Sequence, residues 1–268
     1  MSSNRIASRA ACCLVAHLVL AMCCTVPLGA EESRENIRSV DETATFLSNS
    51  RQMLVVLTPD WGSIYGMLQR HERENDATPW RAVGEPVAVS LGRSGQGWGR
   101  GLHPPDAVMA DEPKKREGDG RAPTGFFALT GGFAYNPKEL SGTALPIAHA
   151  DQDLVCVDDP ASRYYNVVTS KSVPDKDWTS FEDMLRTDRR YQYGIMVAHN
   201  QNPALPGAGS CIFLHVEFSP GYETTGCTAM SQEAIRALIL WLDPAAKPKL
   251  AQFPESVYAR VKQAWDLP

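Results

Sequence analysis

The stretch TTGCTAMS, residues 224–231, sets Cys227 directly after Gly226, and His215 stands twelve residues earlier, near the end of the apolar run CIFLHV. A thiol attacks as its thiolate, and its ordinary pKa of about 8.5 falls at a helix N-terminus or beside a basic imidazole. Gly226 permits a sharp backbone bend that exposes the sulfur and aims nearby amides at a developing oxyanion. A cysteine, a histidine and backbone donors together are the equipment of acyl transfer. The residues alone leave other roles open. Cysteine is often a small buried apolar residue. Zinc ligation by some set of His199, Cys211, His215 and Cys227 is a further possibility, without a short Cys-x-x-Cys or His-Glu-x-x-His spacing to support it.

Cysteine counting bears on the choice. Of seven cysteines, Cys12, Cys13, Cys23 and Cys24 fall in the first thirty residues, where Arg5 and Arg9 precede an apolar run to Cys24, then Pro27 and small residues to Ala30. That pattern predicts a cleaved secretory signal over residues 1–30, with lipid attachment at Cys23 or Cys24 as the weaker alternative. Cys156, Cys211 and Cys227 remain, an odd number in an oxidising compartment, so at least one is free or paired between chains. A Cys156–Cys211 bridge would leave Cys227 free. Without residues 1–30 the chain carries 24 basic against 31 acidic residues, a net charge of −7. A mildly acidic chain lacks the electrostatic footprint of a nucleic-acid binder. The apolar run of the signal is also too short to span a bilayer.

The elements that must position Cys227 and His215 can be read from hydrophobic period. Short apolar runs separated by turn residues, MLVVLT, WRAVG, PVAVSLG and GFFALT, predict a strand-rich antiparallel domain. Residues 31–50 read as a leading helix or loose arm. LGRSGQGWGRGLH, residues 91–103, reads as a tight loop with several positive-φ glycines, and DEPKKREGDG, residues 111–120, as a solvated charged loop. His71, His103 and His149 read as surface or loop residues. YQYGIMVAH, 191–199, and CIFLHV, 211–216, read as strands, the second placing Cys211, Phe213 and His215 on one face. SQEAIRALILWL has the stripe of an amphipathic helix, with Ser231 as N-cap and Pro244 past its end. Around the cysteine the expected order is therefore strand, loop, Gly-Cys, helix.

GDGRAPTGFFALTGGFAYNP together with GSCIFLHVEFSPGYETTGCTAMS resembles the L,D-transpeptidase family, the YkuD-type catalytic domain that cross-links bacterial peptidoglycan through a cysteine. The resemblance spans residues 85–243, and its ordered parts are Arg121–Phe127, the strand ending at His215, and Thr224–Cys227. It implies a mainly β, sandwich- or barrel-like domain with a few short helices, one of them following the cysteine. An N-terminal extension, 31–84, and a C-terminal tail, 244–268, would flank it. By position, the resemblance makes Cys227 the nucleophile, His215 the general base and acid, and Gly226 part of a backbone oxyanion hole. Thr224, Thr225, Thr228 and His199 are the candidate substrate contacts. Two residues depart from the family block. Thr225 stands where histidine is usual, and Ala229 where arginine or asparagine is usual. The resemblance implies a periplasmic transpeptidase acting on peptidoglycan stem peptides, with no cofactor and no metal. Hydrolysis by the same Cys–His pair and a non-catalytic wall-binding role are the alternatives.

Overall fold

The computed structural model describes residues 49–268. The expected signal and the leading arm up to residue 48 lie outside the described residues. Thirteen strands follow in chain order: β1 (Gln52–Thr58), β2 (Tyr65–Glu72), β3 (Arg81–Ser90), β4 (Gln96–Trp98), β5 (Ala122–Ala134), β6 (Ile147–His149) and β7 (Leu154–Cys156). After these come β8 (Val168–Ser170), β9 (Glu182–Asp183), β10 (Tyr193–Val197), β11 (Phe213–Val216), β12 (Thr228–Met230) and β13 (Lys249–Pro254). Two α-helices, α1 (Gln232–Trp241) and α2 (Glu255–Val261), lie near the C-terminus.

Eight strands run β10-β11-β12-β3-β2-β1-β13-β5, and β5 pairs back onto β10, so the sheet closes on itself. Closure satisfies the backbone groups that an open sheet leaves at its edges. The strand-rich expectation holds, but the sheet is mixed, not antiparallel: β1–β13 and β11–β12 are parallel pairs. Loops that return over the barrel, instead of hairpins, make the parallel pairs possible.

The apolar run MLVVL is continuous because both faces of β1 are covered. Leu54 and Val56 point into the barrel with Phe127, Leu214 and Leu250. Met53 and Val55 point out, under Phe126, Phe253 and the α2 residues Val257 and Val261. Helix α1 begins as the sequence indicates, with Ser231 Oγ accepting from Ala234 N at 3.2 Å, and it buries Ile235, Leu238 and Ile239 in the barrel core.

The outer face of β10 and β11 carries a third cluster, in which Phe133, Tyr191, Phe213 and Cys227 pack with Cys156, Cys211 and Met184. Part of its cover is the small sheet β8-β7-β9. A Cys156–Cys211 disulfide, across a sequence separation of 55 residues, ties β7 to the segment entering β11. Cys211 itself has φ +55°, so it sits outside the strand expected to begin there, and its N–H is held by Asn166 Oδ1 at 2.9 Å.

Closing a loop of that length restricts the unfolded chain by about 4 kcal/mol in the chain-entropy account. Reduction, or Cys156→Ala, is expected to lower Tm by roughly 10 °C at about 2–4 °C per kcal/mol for a domain of this size. A thermal melt with and without reductant checks it; an unchanged Tm would contradict the role given to the bridge.

Candidate active site

Parallel pairing of β11 with β12 sets the site. Leu214 lies opposite Thr228 and His215 opposite Ala229, so the residue before each pair, Phe213 and Cys227, also meet. Phe213 N–H donates to Cys227 Sγ at 3.3 Å, and Sγ lies 3.5 Å from the Cys211 carbonyl, to which the thiol donates. Cys227 is the free cysteine among the described residues and is 6% exposed. A short strand, not the helix, follows it directly, so the helix dipole is a strand away. In this setting burial pushes the thiol up to about 12, with the Glu182 carboxylate adding to the effect. The Phe213 N–H, the charge of Lys115 and the Tyr191 hydroxyl oppose it.

The turn before the cysteine is pinned from both sides. Thr224 Oγ1 donates to the Cys227 carbonyl at 2.7 Å and accepts from Gly226 N–H at 3.1 Å. Gly226 has φ +150°, and a Cβ there would stand 3.1 Å from the Arg121 carbonyl. Its N–H is thus spent on Thr224, so an oxyanion would need other donors. Thr224 N–H donates to the Leu91 carbonyl and its own carbonyl accepts from Arg93 N–H, across a bridge to Gly92. The glycine-rich stretch was expected to serve positive φ, yet among its glycines only Gly95 has it. The others make room: a Cβ on Gly92 would lie 2.3 Å from the Gly120 carbonyl.

His215 is buried one rung along the strand from the sulfur. Its Nδ1 donates to the Val216 carbonyl at 2.8 Å, which leaves Nε2 as the basic nitrogen, and its ring packs edge-on against Tyr191 at 5.3 Å. No hydrogen bond joins it to Cys227. Burial lowers its pKa to about 4, so the imidazole is neutral.

The remaining candidates separate. Thr225 is exposed at the tip of the turn. Thr228 does not reach the sulfur's face, because alternation turns it the other way, where its Oγ1 donates to Gln252 Oε1 at 2.7 Å. His199 is also away from the thiol and works as a structural pin: Nδ1 accepts from Arg100 N–H at 3.3 Å and Nε2 donates to the Ala208 carbonyl at 3.1 Å. His103, expected at the surface, is buried, with Nδ1 accepting from Phe126 N–H.

The charged loop 111–120 is not simply solvated. The Lys115 side chain is 4% exposed, its Nζ donating to Asp119 Oδ1 at 2.7 Å and the Arg116 carbonyl at 2.8 Å. That ammonium stands 3.7 Å from where a Cβ on Gly226 would be. Sequence reasoning missed Lys115, Tyr191 and Glu182, because a charge run and an alternating strand give no sign of which member turns inward.

A cleft of about 600 Å³ is lined by Met196, Ile212 and Phe213 on the barrel wall and by Arg163, Tyr165 and Pro203 opposite; neither Cys227 nor His215 lines it. Cys211 and Phe213, which touch the sulfur, form the partition between it and Cys227. A second cleft of about 420 Å³, lined by charged residues including Arg51, Glu72 and Asp243, holds no thiol or imidazole. No group of three or more metal-ligating side chains lies together among the described residues.

The family model for the L,D-transpeptidase catalytic domain, YkuD, matches residues 69–250. No curated protein and no solved structure matches the chain.

Burial holds three imidazoles neutral, His103 and His215 lowered to about 4 and His199 to about 3, against an unfolded value of about 6.5. Between pH ~6.5 and ~4 the unfolded chain therefore binds protons that the folded one refuses. Stability is fully present above that window and falls with pH inside it, by roughly 1.4 kcal/mol per pH unit for each imidazole. Urea unfolding at a series of pH values checks this; a midpoint flat from pH 7 to 5 would contradict the buried, neutral assignment.

Proposed function

The chain belongs to the L,D-transpeptidase catalytic-domain family, and from that premise we propose that it is a periplasmic peptidoglycan L,D-transpeptidase with Cys227 as nucleophile and His215 as acid–base partner. The observation that carries the reading is the state of the three cysteines. Cys156 and Cys211 are bridged, which leaves one thiol, and that thiol is set on the Thr-x-Gly-Cys turn one rung from an imidazole whose Nε2 is unbonded.

The sulfur attacks the carbonyl between the diamino acid and the terminal D-alanine of a tetrapeptide stem. D-Alanine leaves, and an acceptor amine resolves the thioester to form the cross-link. Because the Gly226 N–H is engaged by Thr224, the oxyanion draws on the Lys115 ammonium, which has two of its three N–H groups spent and stands beside the turn. The cleft next to Phe213 is of a size to take part of a stem peptide. With Cys227 only 6% exposed, substrate entry has to part the wall from its cover. The signal-like residues 1–30 support export to the compartment in which the substrate lies.

Incubating the purified protein with tetrapeptide muropeptides and separating the products by mass tests the reading. Cross-linked dimers are expected, and Cys227→Ser is expected to lose them by at least about a hundredfold, in line with removal of a catalytic nucleophile. Trimmed tripeptides without dimers would instead assign hydrolysis to the same thiol, and no turnover would favour a wall-binding role.

A further inference from the structure

The segment between β9 and β10 reads RTDRR over residues 186–190, three arginines against one acid in a chain whose net charge is −5. Two of the arginines are set by that acid. Arg190 Nε and Nη2 donate to Asp188 Oδ2 at 2.9 and 2.7 Å, and Arg186 Nη2 donates to the same oxygen at 2.9 Å. Burial raises the Asp188 carboxyl, but the hydrogen bonds from Arg186 and Arg190 outweigh it and hold the group well below the usual carboxylate range. The clamp is therefore charged at neutral pH. A guanidinium carries five N–H groups in a planar fork. With the Nε side turned to Asp188, the Nη1 groups of Arg186 and Arg190 have no hydrogen-bond partner among the described residues. The two side chains are 32% and 29% exposed, enough to meet a ligand.

Aromatic rings place this pair at the imidazole. Arg186 Cζ lies 5.3 Å from the centroid of the Tyr191 ring, and His215 packs against that same ring at 5.3 Å. Arg190 Cζ lies 5.6 Å from the Phe218 ring, and its carbonyl accepts from the N–H of Val216, the residue after His215. In the reaction proposed above, His215 gives a proton to the nitrogen of the departing D-alanine. That nitrogen and the D-alanine carboxylate are borne on one carbon, so the carboxylate stays within about 4 Å of the nitrogen. An anion is thus brought to the side of His215 where the arginines stand.

We propose that Arg190 and Arg186, held by Asp188, bind the terminal carboxylate of the D-alanine and so select stems that end at that residue. Arginine meets a carboxylate with two parallel N–H bonds, which adds geometric specificity to charge. A stem longer by one residue carries a neutral amide at that place and further chain beyond it. Glu182 is a second acid acting on Arg186, whereas Arg190 has Asp188 as its one ion-pair partner among the described residues, so Arg190 is the stronger contact. The proposal rests on the transpeptidase reading, which makes His215 the donor to the leaving nitrogen. If the arginines only tied residues 186–190 to the barrel, their loss would weaken every ligand alike.

Calorimetry on the full chain carrying Cys227→Ser, which binds without turnover, separates the two. The probes are a tetrapeptide stem with a free terminal carboxylate, its C-terminal amide, and the same acid with the diamino-acid carboxyl amidated. The acid is expected to bind about tenfold or more tightly than its C-terminal amide. Adding Arg190→Gln is expected to bring the acid to the level of the amide while the amide itself changes by less than about twofold. Arg190→Lys, which keeps the charge without the fork, is expected to fall between. Equal binding of acid and amide, no binding of either, equal weakening of both by Arg190→Gln, or a loss that follows the diamino-acid carboxyl instead would each overturn the carboxylate site. Near-ultraviolet circular dichroism guards against misfolding, and Arg190→Lys with the acid–amide contrast carries the test if Arg190→Gln loses its fold. Turnover by the protein with Cys227 intact is scored separately. Acid-selective binding without cross-linked dimers would overturn the transpeptidase reading and leave the carboxylate site standing, and dimers formed equally from acid and amide stems would do the reverse.

Discussion

Burial of the Cys227 sulfur is the constraint to which the rest of the site answers. An apolar setting costs a thiolate its solvation, and a buried thiol that is never assisted stays protonated and inert. Every polar group that meets this sulfur is therefore informative. Phe213 N–H gives a hydrogen bond, Lys115 gives a positive charge, and the Tyr191 hydroxyl favours the thiolate. None of the three is a neighbour in sequence. The closed barrel makes their meeting reproducible, since β11 is locked between β10 and β12 and cannot slip register without turning Phe213 and His215 into the core.

The disulfide and the pinned turn solve the same problem from opposite sides. Cys211 supplies the carbonyl that the thiol meets, and it does so from a left-handed backbone that its bridge to Cys156 and its bond to Asn166 hold in place. Across the sulfur, Thr224 spends its hydroxyl on both Gly226 and Cys227, while Gly92 lets the neighbouring chain approach closely enough to bond Thr224 through its backbone. Removing freedom from both flanks fixes the sulfur to within a narrow range of positions, which acyl transfer needs.

Much of this was legible in the sequence where period and spacing carry the information. The α1 stripe at Ile235, Leu238 and Ile239, its Ser231 cap, and the mainly β class all follow from local pattern. Cysteine arithmetic left Cys227 as the free thiol if the other two paired, as they do. What local pattern could not carry is the direction in which a polar residue turns. Thr228 and Cys227 are adjacent, and only the register of β12 sends one to Gln252 and the other to the site. Lys115 sits in a run of charges where every member looks solvated, and its burial depends on Asp119 folding back to meet it. His199 and His103 likewise looked available, and both are spent on backbone partners of distant loops.

Thr225 carries the last consequence. At a position where the family pattern has histidine, this chain has a side chain that cannot ionise, and the turn exposes it. A positive charge acting on the thiol comes from Lys115, on a loop distant in sequence that reaches Gly226. Thr224, by contrast, keeps the structural half of the motif, because its hydroxyl bonds define the bend on which the sulfur sits. In this chain the turn is set by Thr224 within the motif, and the charge that acts on the thiol comes from Lys115 on another loop.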